Sequence, residues 1–221
     1  MSSLDIQTVS RAAIPEEIKL QIIAEYLKFP NGLHCDRWPI IKKLRFDPLL
    51  SISDFRYLAT EALYKNNLVI IKPSITSNTG ITIGYPSLAV SHWVRELEFR
   101  PSLLECRDDR YDSYPDKEER LSLFELQIRW LQKLASGELG YQRLDLLRLV
   151  FDCPFVTGNI YNYLCNFVQV IRVAGPLRIR ARRLEIVVGK HLCSENCDIS
   201  TDACLWSKAL SELISIHQDA L

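Results

Sequence analysis

A chain of 221 residues with 48% hydrophobic and 24% charged side chains is long and apolar enough to close a sizeable core, so disorder is not its default. Its 27 basic residues balance 27 acidic ones, and a formal net charge of zero excludes a global field that would hold nucleic acid or an anionic membrane. No apolar run approaches membrane length and the first residues lack the order of a signal peptide, so the chain reads as soluble and cytoplasmic or nuclear.

Residues 1–13 are polar and unpatterned, and read as a tail. Ile14, Ile18, Ile22, Ile23, Tyr26 and Leu27 then recur at helical spacing, which predicts a short helix with one apolar face and with Glu17, Lys19, Gln21 and Glu25 on the other. Pro15 suits its first turn, and Glu16 and Glu17 sit where the positive end of the helix dipole favours them. Lys28 to Phe46 carries Pro30, Asn31-Gly32 and Pro39, and so reads as a connection; Trp38, Ile40, Ile41, Leu44 and Phe46 give it something to pack and room for a turn of helix. Asp47-Pro48 punctuates. Ile52, Phe55, Leu58, Ala59, Ala62 and Leu63 mark a second helix that Asn66-Asn67 stops, and Leu68 to Ile71, closed by Pro73, reads as a buried strand.

These residues carry a family resemblance. Ile14-Pro15-Glu16-Glu17-Ile18 resembles the Leu-Pro-x-Glu-Ile/Leu opening of an F-box. Leu49 to Ile71, with Phe55, Ala59, Glu61, Ala62, Tyr64 and Asn67 in order, is similar to the continuation common in F-box-like proteins of filamentous fungi. The resemblance covers roughly the first third of the chain. It implies a non-enzymatic interaction protein, a substrate-recruiting subunit of an SCF-type ubiquitin ligase. The helices would offer an apolar edge to the adaptor protein that links F-box proteins to the cullin scaffold, and the rest of the chain would choose a substrate protein. On that reading Ile14, Pro15, Ile18, Ile22 and Leu27 make the first contact, with Leu50 and Phe55 beside them. The same residues also read as core, because hydrophobic periodicity reports burial without naming the partner. Lys28 to Asp47 stands where an F-box has a short link, which favours the alternative of a stand-alone binding domain of unknown partner that has lost the ligase connection.

Beyond the first strand, Ser74 to Gly80 is turn-rich and Ile81-Thr82-Ile83 alternates like the return arm of a hairpin; Pro86 to His92 reads as a short helix. A strand-then-helix unit follows three times. Val94 to Phe99 is a strand with Leu97 and Phe99 inward, separated by a charged stretch of mixed sign over 105–120 from a helix bearing Leu121, Phe124, Ile128, Leu131 and Leu134, which Gly137 ends. The second unit has its strand at Leu144 to Phe151 and its helix at Ile160, Leu164, Phe167, Val168 and Ile171. The third has Leu184, Ile186 and Val188, then Leu205, Leu210, Leu213 and Ile214. Crossovers too long for hairpins imply parallel strands. The expected fold class is α/β, with F-box-like helices over 14–72 packed as one unit on an irregular leucine-rich-repeat-like lobe of parallel strands and helices over 73–221.

Seven cysteines, an odd number at irregular spacing, make no natural disulfide framework, and Cys106, Cys153, Cys165 and Cys204 read as small core hydrophobes. His191, Cys193, Cys197 and Cys204 could close a tetrahedral zinc site, but without a Cys-x-x-Cys knuckle they read as loop thiols, so neither metal nor cofactor is expected. None of His34, His92, His191 and His217 stands in a nucleophile elbow, and eight glycines supply no phosphate-cradling loop, so no enzyme chemistry is expected. Arg178, Arg180, Arg182 and Arg183 lack interleaved aromatics and read as a solvated strand edge rather than a nucleic-acid contact.

Overall fold

The computed structural model describes residues 14–76, 80–84, 86–103, 117–151, 160–189 and 204–217. The first helix, α1 (Glu16–Tyr26), starts from Pro15, whose carbonyl accepts the N–H groups of Ile18 and Lys19 at 3.1 Å; Pro15 itself is the cap, one residue before the first turn. Gly32, at φ +80°, turns the chain against the sheet, where a Cβ would meet the Ile70 side chain at 2.6 Å. The connection expected from Lys28 to Phe46 is more structured than its prolines imply. It holds a two-residue strand, β1 (Leu33–His34), a 3₁₀ turn (Cys35–Arg37), α2 (Trp38–Ile41) and a π turn (Lys42–Phe46) that runs straight into α3 (Asp47–Leu50). Asp47-Pro48 therefore does not break the helical path. Pro48 has no N–H for the carbonyl one turn back, and the widened turn ahead of it, where the Asp47 N–H bonds Lys42 O, accommodates that gap. Then come α4 (Ser53–Lys65) and β2 (Leu68–Ile71), as the sequence predicts.

Five strands form one sheet in the order β1-β2-β5-β6-β8, where β5 is Glu96–Phe99, β6 is Leu144–Phe151 and β8 is Ala181–Val188. All four pairings are parallel, so the strands centred near Leu97, Leu149 and Ile186 share a sheet, and the α/β class with a parallel sheet is the observed one. The register aligns Leu33, Val69, Leu97, Leu147 and Leu184 in one row and Ile71, Phe99, Leu149 and Ile186 in the next. Because side chains alternate across a strand, both rows point to the same face. Strand order follows chain order, and crossovers of one hand that always step the same way fall on one side of the sheet. That side is covered by α6 (Lys117–Ser136) and α7 (Ile160–Ala174). Phe99 stacks on Trp130 at 4.5 Å, and Phe167 meets Phe124 and Phe151 at 5.6 and 5.5 Å, which locks both helices to the strands. The division at residue 72 cuts this sheet, and buried side chains from Ile23 to Ile214 belong to one cluster.

Three expectations change. The hairpin exists, but its arms are β3 (Pro73–Thr76) and β4 (Gly80–Ile83), in a sheet of their own, because Leu68 to Ile71 is already paired on both edges. The helix expected from Leu121 begins at Lys117, inside the charged stretch; residues 105–116 of that stretch lie outside the described residues. Ile214 is not on a helix stripe: α8 (Leu205–Leu213) stops before it, and Ile214–Ile216 is β9, paired in parallel with β7 (Leu177–Ile179). Between β4 and β5, α5 (Leu88–Ser91) is the short helix expected before Trp93.

Candidate interaction surface

Helix α1 has two apolar faces instead of one. Ile23 and Leu27 are buried, at 1% and 0% exposure, and Leu20 and Ala24 pack beside them. Ile14, Ile18, Ile22 and Tyr26, at every fourth residue, are 43–57% exposed. With 3.6 residues per turn the two sets are centred about 180° apart, so the second stripe points directly away from the core. Burial of that outer stripe needs something outside the described residues. Among the described residues, eight of the 12 exposed large hydrophobic side chains lie between Ile14 and Tyr57, adding Ile40, Leu44, Ile52 and Tyr57 to the four of the outer stripe, which concentrates exposed apolar surface in this amino-terminal layer.

A buried polar side chain ties the layer together. Asn67, 4% exposed, donates through Nδ2 to the carbonyls of Leu27 at 2.9 Å and Leu63 at 2.7 Å, and its Oδ1 accepts the Phe29 N–H at 2.7 Å. The ends of α1 and α4 are thereby joined, and one carbonyl near each end is satisfied. Arg45, from the π turn, lies over the rings of Phe29 and Tyr26 at 5.2 and 6.0 Å and closes the other side.

Of the candidate contact residues, Ile14 and Pro15, just ahead of α1, and Ile18 and Ile22 on it are exposed. Leu27 is fully buried, so it anchors the helix and is closed to a partner. Leu50 and Phe55 are half-buried and pack on the core. Tyr26, Ile40, Leu44, Ile52 and Tyr57 were not among the candidates. The signal for Tyr26 is in the sequence: the spacing 14, 18, 22, 26 is a different stripe from 20, 23, 24, 27, and reading both as one face hides the outer one.

The sheet face opposite the helices carries a row of charge. Register places Glu98, Arg148 and Glu185 side by side across β5, β6 and β8. Arg148 donates to Glu185 at 2.8 Å and to Glu98 at 3.3 Å, and Arg100 also donates to Glu98. Glu98, which alternation turns away from the face of Leu97 and Phe99, is buried because these two guanidinium groups neutralise and cover it. The hydrogen bond to Glu185, that carboxylate's charge and Glu98 hold Arg148 protonated. Arg178, Arg180, Arg182 and Arg183 are all exposed on β7, β8 and the link between them. Arg182 pairs with Asp145 at 3.3 Å and Arg183 with Glu185 at 3.3 Å, so half of the cluster is engaged within the sheet.

His191, Cys193 and Cys197 lie outside the described residues, as do Cys106 and Cys153; Cys204 is buried at the head of α8. Among the described residues no group of three His, Cys, Asp or Glu could hold a metal ion, and no helix is long and apolar enough to cross a membrane. No protein-family model, curated protein or solved structure matches the chain.

Proposed function

We propose that the chain is a non-enzymatic protein-interaction subunit, F-box-like in its first helices, which recruits a substrate protein to an SCF-type ubiquitin ligase. The observation that carries this reading is the outer stripe of α1, because a helix seated on its own core by one face and apolar on the opposite face is built to be covered twice. Ile14, Pro15, Ile18 and Ile22 are the residues of the F-box-like opening, and they fall on that outer face. The partly exposed charges on the sheet face opposite α6 and α7, Arg148, Arg183 and Glu185, would then be available to a substrate.

The experiment is co-purification of the full chain with the ligase adaptor, wild type against Ile18→Asp/Ile22→Asp. Retention of the adaptor by the wild type and its loss from a folded variant is the expected result; an adaptor that is never retained, or is retained equally by both, removes the reading. A stand-alone binding domain without the ligase connection is the second reading. It is favoured by Lys28 to Asp47, which is built into the fold through β1 and through Trp38, packed 5.5 Å from Phe46 and 6.2 Å from Tyr64, where an F-box has a short link.

A further inference from the structure

A cleft of about 470 Å³ opens between the amino-terminal helices and the loop before α5, a size inside the range of roughly 300–1,000 Å³ typical of small-molecule sites. Its walls are chiefly Leu33, Trp38, Phe46, Tyr64 and Val90, with Lys42 also on its lining. Trp38 is the central ring, in tilted contact with Phe46 and Tyr64. The π turn contributes both of its end residues, Lys42 and Phe46, and such turns recur at functional sites.

The polar side-chain groups are the Lys42 ammonium, the hydroxyls of Thr60, Tyr64 and Ser87, and the Cys35 thiol. Lys42 is the one lining residue that is charged at neutral pH, and it is exposed with no ion pair among the described residues. The Tyr64 hydroxyl makes no hydrogen bond among the described residues, although Tyr64 as a whole is 7% exposed. Burial, and then the nearby Cys35, push the Tyr64 phenol up to about 12, while burial and Asp36 push the Cys35 thiol up to about 12. Both stay protonated at neutral pH, so the lining presents one positive charge, neutral donors and no negative charge. An apolar, ring-lined space with these groups complements a molecule that carries one anionic acceptor on an aromatic body.

We propose that this cleft binds a small aromatic carboxylate, its apolar body against Trp38, Phe46 and Tyr64 and its carboxylate on the Lys42 ammonium. The site is separate from the outer stripe of α1 and stands whether or not the adaptor binds there.

Isothermal titration of the full chain with 2-naphthoate and with its neutral partner 2-naphthamide tests it. The acid should bind about 10-fold more tightly than the amide, the size of a charge-assisted contact. Lys42→Met, which keeps the aliphatic stem and removes the charge, should bring the two to parity without moving the thermal midpoint. Thr60→Trp, which fills the cleft from α4, should abolish both. Equal binding of acid and amide by the wild type, a preference that survives in K42M, binding that survives in folded T60W, or no heat from either probe would each overturn the proposal. The K42M comparison is decisive whether or not T60W folds.

Discussion

The Asn67 side chain donates to the main-chain carbonyl of Leu27, 40 residues earlier, at 2.9 Å, and so ties the end of α1 to the end of α4. Replacing it by Ala would leave the Leu27 and Leu63 carbonyls and the Phe29 N–H without this partner in a site that water reaches poorly. A loss of about 2–4 kcal/mol is expected, measured as a lowered urea midpoint at unchanged slope. Asn66→Ala is the control: Asn66 is exposed and its Nδ2 donates to Ala62 O at 3.0 Å, so its removal should cost about 1 kcal/mol or less. Equal effects of the two changes would mean that the joint contributes nothing special.

Adjacent residues on α1 should behave oppositely. Ile23 is 1% exposed, and Ile23→Ala should cost about 2–5 kcal/mol through lost burial and a residual cavity. Ile22 is 57% exposed, and Ile22→Ala should stay within about 0.5 kcal/mol of wild type. Chemical denaturation of the two variants decides it; an Ile22→Ala loss as large as that of Ile23→Ala would place the outer stripe inside a core.

Arg148→Met should destabilise by about 2–4 kcal/mol, less than for a fully buried pair because Arg148 is one-third exposed, since Glu98 would keep only Arg100. Adding Glu98→Leu should recover part of that loss, because the stranded charge is gone. Thermal melts of the two single variants and the double variant give the coupling directly. Additive losses would show that the row across β5, β6 and β8 is solvated charge.

His34 supplies a pH dependence. Partial burial, and after the opposing pull of Asp36 the charges of Lys72, Arg100 and Arg37, lower its pKa in the folded state below the usual 6.5. Between the lowered value and 6.5 the unfolded chain binds the proton and the folded chain does not, so stability rises with pH there. This contribution is complete above 6.5 and is lost as pH falls through the folded-state value. Urea midpoints from pH 7.5 downwards should fall less steeply in His34→Gln than in wild type; parallel profiles would remove His34 from the account.

Much of the fold was legible in the sequence because its signals are local. Alternation at Leu97 and Phe99, and at Leu144 to Phe151, gives strands, and the three- and four-residue steps of Phe124 to Leu134 give a helix. Long crossovers between them require parallel pairing. Two things were illegible for the opposite reason. A two-residue strand such as β1 is too short to show a period, and the π turn before Asp47-Pro48 depends on how the chain relieves a missing hydrogen bond.

By itself the sequence determined the types of the longer elements, which residues of β5 and β6 turn inward, and the stretch on which an F-box-like reading could rest. Only the tertiary structure decided which side of α1 is turned to the core, that Glu98 is buried, and that Trp38, Lys42, Phe46 and Tyr64 share one cleft. The reason is physical: periodicity states which side chains recur on a face, whereas what each face meets is set by strand register and helix docking between residues tens of positions apart.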